Sequence, residues 1–383
     1  MRILAVGGGS GGHVTPVVAV LRELRRAHPD AEIRFWCDRK FTPQAKSIMS
    51  HLDDNVPVQT IFAGKLRRYH HLSVMRQLLW PSLVASNIRD SFLVILGAIQ
   101  SIFKLIIWRP DVVFTKGGYV CLPVGWAAHV LRIPLAIHDS DAHPGLTNRI
   151  LSRWASAIAT GSPLKFYPYP AAISKYVGIP ISSEYQEFSA KERLQAKKQW
   201  SVATDKPLIV ITGGGLGAKR INDTVALLLK DLQKLGSVVL VAGAAQYDEL
   251  RAITPENSED FQLHAFISNG MSSLLGAADV VVTRAGATTI LELAALKKPT
   301  ILIPNAKLTG GHQVKNADVY SESGAVVVVN EEEMIDNPTI LIDAISSVLS
   351  DKSKADKMSK ALAGFARPNA AKDVARMILG LVK

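Results

Sequence analysis

Two glycine clusters hold the backbone chemistry of this chain, and the first also carries a side chain able to move a proton. Gly7-Gly8-Gly9-Ser10-Gly11-Gly12-His13 stands between a short apolar run and a helical repeat, where bare N–H groups and the positive end of a helix can meet a phosphate. His13 closes the loop at the helix entrance, placed for proton transfer or phosphate binding. The loop also fits the dinucleotide pattern, with Gly7, Gly9 and Gly12 in place and Asp38 after the next strand near the ribose-binding position. A nicotinamide-dependent oxidoreductase is therefore an alternative, and a tight turn that merely allows close packing is the plainest one. Gly213-Gly214-Gly215 repeats the design about half a chain later.

The elements that must position these loops follow from periodicity. Arg2-Ile3-Leu4-Ala5-Val6 reads as a buried strand, and Val17, Val18, Val20, Leu21 and Leu24 fall on one helical face behind the loop. Further strands are expected at Ile33 to Cys37, Val112 to Phe114 and Leu135 to Ile137. The same grammar restarts at Pro207 to Thr212, continues through the helical stretch Ile221 to Leu235, and adds strands at Val238 to Val241, Val280 to Val282 and Thr300 to Ile303. Strands alternating with helices imply an α/β fold of two Rossmann-like, doubly wound parallel-sheet domains facing a cleft. The boundary is expected near Gly161 to Pro180, where prolines and aromatics replace periodicity.

Length and composition agree. A chain of 383 residues is too long for one ordinary core and suits two domains, and 48% hydrophobic with 20% charged residues excludes disorder as the main state. Only Cys37 and Cys121 occur, each in or beside an apolar run, so neither a disulfide framework nor a zinc cluster is expected, and a reducing compartment fits. The glycine cluster begins too soon after Met1 for a secretory signal, which makes export an unfavoured expectation. A net charge of +11 points to an anionic partner, whether nucleic acid, membrane surface or phosphorylated substrate, without choosing among them.

Five segments together choose. They are Gly8 to His13; Gly117-Gly118-Tyr119-Val120; His138-Asp139-Ser140-Asp141 with Pro144-Gly145-Leu146-Thr147-Asn148; Arg284-Ala285-Gly286-Ala287-Thr288 with Glu292; and His312-Gln313 with Asn316-Ala317. In this order and spacing the chain resembles the MurG family of peptidoglycan glycosyltransferases over nearly its whole length. The resemblance implies the two-domain GT-B fold, and inverting transfer of N-acetylglucosamine from UDP-GlcNAc to an undecaprenyl-diphospho-muramoylpeptide acceptor. It implies no cofactor, no catalytic metal and no nucleic acid. It places the enzyme peripherally on the cytoplasmic face of the cell membrane, against its anionic surface, in cell wall biogenesis, cell shape and division, with other cell-wall synthesis proteins as partners. The domains expected are 1–163 on the acceptor and membrane side, 164–345 for the UDP-sugar, and a helical segment 346–383 packing back across them. A non-catalytic relative that only binds lipid-linked sugar is a further alternative.

By the same resemblance, Ser10, Gly11 and Gly12 meet the acceptor diphosphate, and the base for the acceptor hydroxyl is sought among His13, Asp139 and His138. Ala287, Thr288 and Thr289, followed by Ile290 and Leu291, open a helix whose N–H groups and hydroxyls can hold the charge of departing UDP without a metal. Glu292 is one turn in, where it can accept from both ribose hydroxyls. Ile267 and Phe266 border the uracil, and Gln313 beside His312 reaches the sugar. The chain departs from the family pattern at Ser182, where an arginine is usual, at Gly215 in place of serine, and at Asp141 in place of asparagine; Lys219 or Arg220 is the expected substitute for the lost charge.

The basic stretch Gly64 to His71 and the apolar runs that follow, Leu78-Leu79-Trp80 and Phe92-Leu93-Val94-Ile95-Leu96, suggest an interfacial patch. Ser91 to Trp108 contains Gln100 and Lys104 and reads as a buried core helix leading into the strand at Val112 rather than a spanning one.

Overall fold

Continuous apolar runs such as Ile3-Leu4-Ala5-Val6 and Leu208-Ile209-Val210-Ile211 have no polar face, the mark of parallel strands covered by helices on both sides, and all eight side chains are fully buried. The computed structural model describes residues 1–8, 11–50, 56–67, 73–141, 144–215, 217–306 and 311–382. The chain divides into two units, Met1–Ser182 with Arg367–Lys383, and Ser183–Ala366.

In the first unit the strands are β1 (Arg2–Val6), β2 (Glu32–Cys37), β3 (Val58–Thr60), β4 (Val112–Thr115), β5 (Leu135–Asp139), β6 (Ala157–Thr160) and β7 (Ser174–Tyr176). They form one parallel sheet in the order β3-β2-β1-β4-β5-β6-β7. The second unit has β8 (Leu208–Thr212), β9 (Ser237–Val241), β10 (Phe261–His264), β11 (Val280–Thr283), β12 (Thr300–Leu302) and β13 (Val327–Val328), ordered β10-β9-β8-β11-β12-β13. Each order reverses at its first strand, between β1 and β4 and between β8 and β11, which is the doubly wound topology. The expected two-sheet α/β fold is what the chain adopts.

One core layer of the first sheet is Val17, Val20, Leu21 and Leu24 from the helix Gly11–Ala27, packed on Ile3, Ala5, Ile33 and Phe35. The helix Ala370–Leu379 adds Val374, Ala375 and Ile378 to this layer, so the end of the chain belongs to the first unit. The helix Lys352–Ala363 before it belongs to the second. The first unit also runs past residue 163, because β7 pairs with β6 along Ile158↔Ser174 to Thr160↔Tyr176. In the second unit, Ile221, Val225, Leu228, Leu229 and Leu232 form the inner face of the helix Lys219–Leu235 on Ile209, Ile211 and Leu240.

The core-helix expectation for Ser91 to Trp108 is corrected. These residues belong to a longer helix, Pro81–Trp108, that buries only a stripe including Leu83, Gly97, Ala98, Ser101 and Leu105. Phe92, Ile95, Leu96, Ile99, Phe103 and Ile107 face outward. The helix is long and apolar enough to cross a membrane by length and composition, its most apolar 18-residue window having a mean hydropathy of 2.0. It is nevertheless fastened along the first unit: Gln100 accepts from the Phe62 N–H (2.9 Å), and Lys104 donates to Gln59 Oε1 (3.1 Å) and the Thr60 carbonyl (3.2 Å).

Candidate active site

The switch point of the first sheet gathers the ends of β1, β4 and β5. A side chain at Gly8 would start 2.7 Å from Asp38 Oδ2 and 3.2 Å from Val120 Cγ2, so a larger residue there would have to displace them. Asp38 Oδ1 accepts from the N–H groups of Lys40 (3.0 Å) and Phe41 (3.1 Å), which spends it on the turn after β2. Gly9 and Ser10 lie outside the described residues; Gly11, Gly12 and His13 form the first turn of the helix Gly11–Ala27.

His138 and Asp139 end β5. His138 Nε2 meets the Gly178 carbonyl at 2.9 Å, which assigns the proton to that nitrogen, and Nδ1 is left to accept from Ser140 Oγ at 3.3 Å. Burial, reinforced by the Lys116 charge, pushes its pKa down to about 3, so the ring is neutral with both nitrogens engaged. Asp139, 3% exposed, accepts from the Tyr169 hydroxyl at 2.7 Å. Burial pushes its carboxyl up to about 7, against the Tyr169 hydrogen bond that pulls it down. Asn148 Nδ2 holds the His138 carbonyl at 3.2 Å, and the Tyr167 hydroxyl donates to the Asp141 carbonyl at 2.6 Å. Asp141 is thus tied by its backbone beside Asp139, while Ser182 is the last residue before the chain passes into the second unit.

The second unit repeats the arrangement. Thr283 pairs with Thr212, which sets the loops after β8 and β11 side by side. Gly214 donates to Thr212 Oγ1 at 3.1 Å, and a side chain at Gly215 would meet no atom of the described residues within 4 Å. The helix Ala287–Ala295 opens after Gly286 with no side-chain cap, so the N–H groups of its first turn have no side-chain acceptor there. Ala287, Thr288 and Thr289 are half-buried; the side chains of Ile290 and Leu291 are buried at 0% and 2%, leaving only their backbone for a ligand. Glu292 hydrogen-bonds the Tyr185 hydroxyl, and burial pushes its carboxyl up to about 7.

Other expected residues reach the same edge of this sheet. Gln313 Oε1 accepts from the Asn305 N–H at 2.9 Å, and Asn316 Nδ2 donates to the Ala285 carbonyl at 3.1 Å, which ties the helix His312–Ser321 to the loops after β12 and β11. His312 Nδ1 is buried, and among the described residues none hydrogen-bonds it. Ile267 and the exposed Phe266 follow β10. Lys219 pairs with Asp223 (3.2 Å) and Glu249 (3.3 Å), and Arg220 pairs with Glu331 (3.0 Å), to which Arg284 also bonds. Both cations expected to replace the arginine thus bond carboxylates of their own unit, Arg220 sharing its single carboxylate with Arg284. Tyr185, Tyr169 and Lys116 were not singled out from the sequence; only Lys116, directly before Gly117-Gly118, bordered a motif.

Two Rossmann-like units, each with loops converging at its own switch point, and an uncapped helix entrance beside a carboxylate are the architecture of the GT-B class of nucleotide-sugar enzymes. Residues 3–160 match the glycosyltransferase family 28 N-terminal domain, and residues 208–374 match the glycosyltransferase family 28 C-terminal domain. A relative from Clostridium kluyveri, a UDP-N-acetylglucosamine--N-acetylmuramyl-(pentapeptide) pyrophosphoryl-undecaprenol N-acetylglucosamine transferase, is 32% identical over 100% of this chain and 99% of its own. One of the same description from Lachnospira eligens is 35% identical over 92% of each. The crystal structure of Acinetobacter baumannii MurG superposes with a TM-score of 0.70 at 26% identity, covering 99% of both chains. The chain belongs to glycosyltransferase family 28, in its MurG branch. Neither an oxidoreductase nor a binding-only relative is favoured by these likenesses.

Proposed function

We propose that the chain transfers N-acetylglucosamine from UDP-GlcNAc to undecaprenyl-diphospho-muramoylpeptide, converting lipid I to lipid II in peptidoglycan synthesis. The observation that carries this is the end-to-end likeness to relatives of that activity, across both units. In the second unit the N–H groups of Ala287 to Thr289 and the loop at Gly215 receive the donor diphosphate. Glu292 accepts from the ribose hydroxyls, Ile267 borders the uracil, and Gln313 with His312 reads the sugar.

In the first unit the acceptor hydroxyl attacks the anomeric carbon, the bond to the UDP oxygen breaks with inversion, and the hydroxyl proton passes to a base. Of the three candidates, His138 has both nitrogens engaged and holds its neutral form far below physiological pH. Asp139, poised near neutrality, suits the task, with Tyr169 orienting it. Ser10, Gly11, Gly12 and His13 then serve the acceptor diphosphate, beside Asp141 and Ser182.

The protein works from the cytoplasmic face of the cell membrane, held peripherally, and contributes through lipid II to cell shape and division. The outward apolar face of Pro81–Trp108, continued by Met75, Leu79 and Trp80 and bordered by Lys65, Arg76 and Arg89, supports this reading. Part of the expected basic stretch, residues 68–71, lies outside the described residues. UDP release measured across a panel of UDP-sugars with an undecaprenyl-linked acceptor tests the activity. Release with UDP-GlcNAc and the diphospho-muramoylpeptide is expected, and none with that pair would sink it.

A further inference from the structure

Lys116 follows β4 directly and stands at the switch point, where its backbone N–H donates to the Val6 carbonyl at 3.3 Å. Its side chain is 2% exposed. An ammonium taken out of water is costly unless its donors are filled and its charge paired. Among the described residues none accepts a hydrogen bond from this one; the carboxylates of Asp139 and Asp141 face it at longer range, with the Cys121 thiol and the neutral His138 ring as the other titratable neighbours. Gly117 and Gly118 follow immediately, both in the left-handed region, so no Cβ on the conventional side of the chain screens their backbone.

We propose that Lys116 receives a diphosphate oxygen of the lipid-linked acceptor at the carboxyl edge of the first sheet. The inference rests on the reading of this unit as the acceptor half, and adds a ligand that the glycine loop alone does not supply. An unfilled ammonium at a switch point calls for an anion. The donor diphosphate has its own uncapped helix entrance in the other unit, at Ala287, which leaves the acceptor's diphosphate for this lysine. Asp139 and Asp141 keep the amine protonated near neutrality, although burial pulls it down to about 8. A bound diphosphate would raise it again.

Steady-state kinetics of the full-length protein, with lipid I analogue and UDP-GlcNAc varied separately, test this in Lys116→Met and Lys116→Arg. Loss of one charged hydrogen bond is expected to raise the acceptor KM about tenfold or more in Lys116→Met, while the UDP-GlcNAc KM stays within about twofold. Lys116→Arg keeps most of the acceptor affinity. The wild-type kcat/KM for acceptor falls above about pH 8, a limb absent from Lys116→Met and moved upward in Lys116→Arg. An unchanged acceptor KM in an active Lys116→Met protein overturns this site alone, as does a rise confined to the donor or shared equally by both substrates. A wild-type protein inert on the lipid-linked acceptor overturns the activity and the site together.

Discussion

The Tyr169 hydroxyl donates to Oδ2 of Asp139 at 2.7 Å, in a pocket where burial lifts that carboxyl to about 7. As a base Asp139 must be ionised, so kcat/KM for the acceptor is expected to fall as pH drops through about 7. Tyr169→Phe removes the bond that favours the carboxylate and moves this limb to higher pH. A limb that does not move would detach Tyr169 from the base.

The same carboxyl links activity to stability. Its folded value lies above the unfolded value of about 4, so its contribution to stability is full below that pH and is lost as pH rises through about 7. Asp139→Asn is therefore expected to raise Tm at alkaline pH while lowering kcat by about 100-fold or more. A melt unaltered at alkaline pH, or near-normal turnover, would contradict the assignment.

Glu292 gives a matching test on the donor side. Its ionised form is the better acceptor for two ribose hydroxyls, so UDP-GlcNAc affinity is expected to increase as pH rises through about 7. Glu292→Gln should cost about tenfold in affinity and flatten that dependence. Calorimetry showing equal affinity for both proteins at all pH values would remove Glu292 from the ribose.

How much of this was legible in the sequence depends on where each residue's constraint comes from. β1 and β8 were visible because strands buried on both faces must be apolar throughout. Ser174-Lys175-Tyr176 was not, since an edge strand with a wet side has no such requirement. Glu292 was reached through the segment around it, but its partner Tyr185 comes from a stretch far upstream with no periodicity, and only folding brings the two together. Pro81–Trp108 shows a third limit. An apolar helix face has the same composition whether it meets protein or lipid, so the core reading of Ser91 to Trp108 could fail without any residue being misread.

The second glycine loop separates backbone need from ligand need. Gly217 has φ +74°, and a side chain there would begin 2.2 Å from the Ala242 carbonyl oxygen, whereas Gly215 opens onto free space. Gly217→Ala is expected to cost about 1–3 kcal/mol or more, and Gly215→Ser to leave Tm unchanged. If thermal melts found the two equivalent, the loop would have another conformation.

The outward face of Pro81–Trp108 can be tested without disturbing the fold, because Phe92 and Phe103 are each 64% exposed and Ile107 is 83% exposed. Replacing all three with serine removes apolar area from the surface and leaves the buried stripe at Leu83, Ala98 and Leu105 intact. Each exposed change is expected to alter stability by only about 0.5 kcal/mol. Sedimentation with vesicles containing anionic lipid should then weaken at every salt concentration, because insertion of these side chains is lost, while the remaining attachment keeps the salt sensitivity of the basic border. Turnover on a short-chain, water-soluble acceptor should stay near wild type. Vesicle binding as strong as that of the unmodified protein would mean that this face does not meet the membrane, and a parallel loss on the soluble acceptor would mean that the helix supports the active site instead.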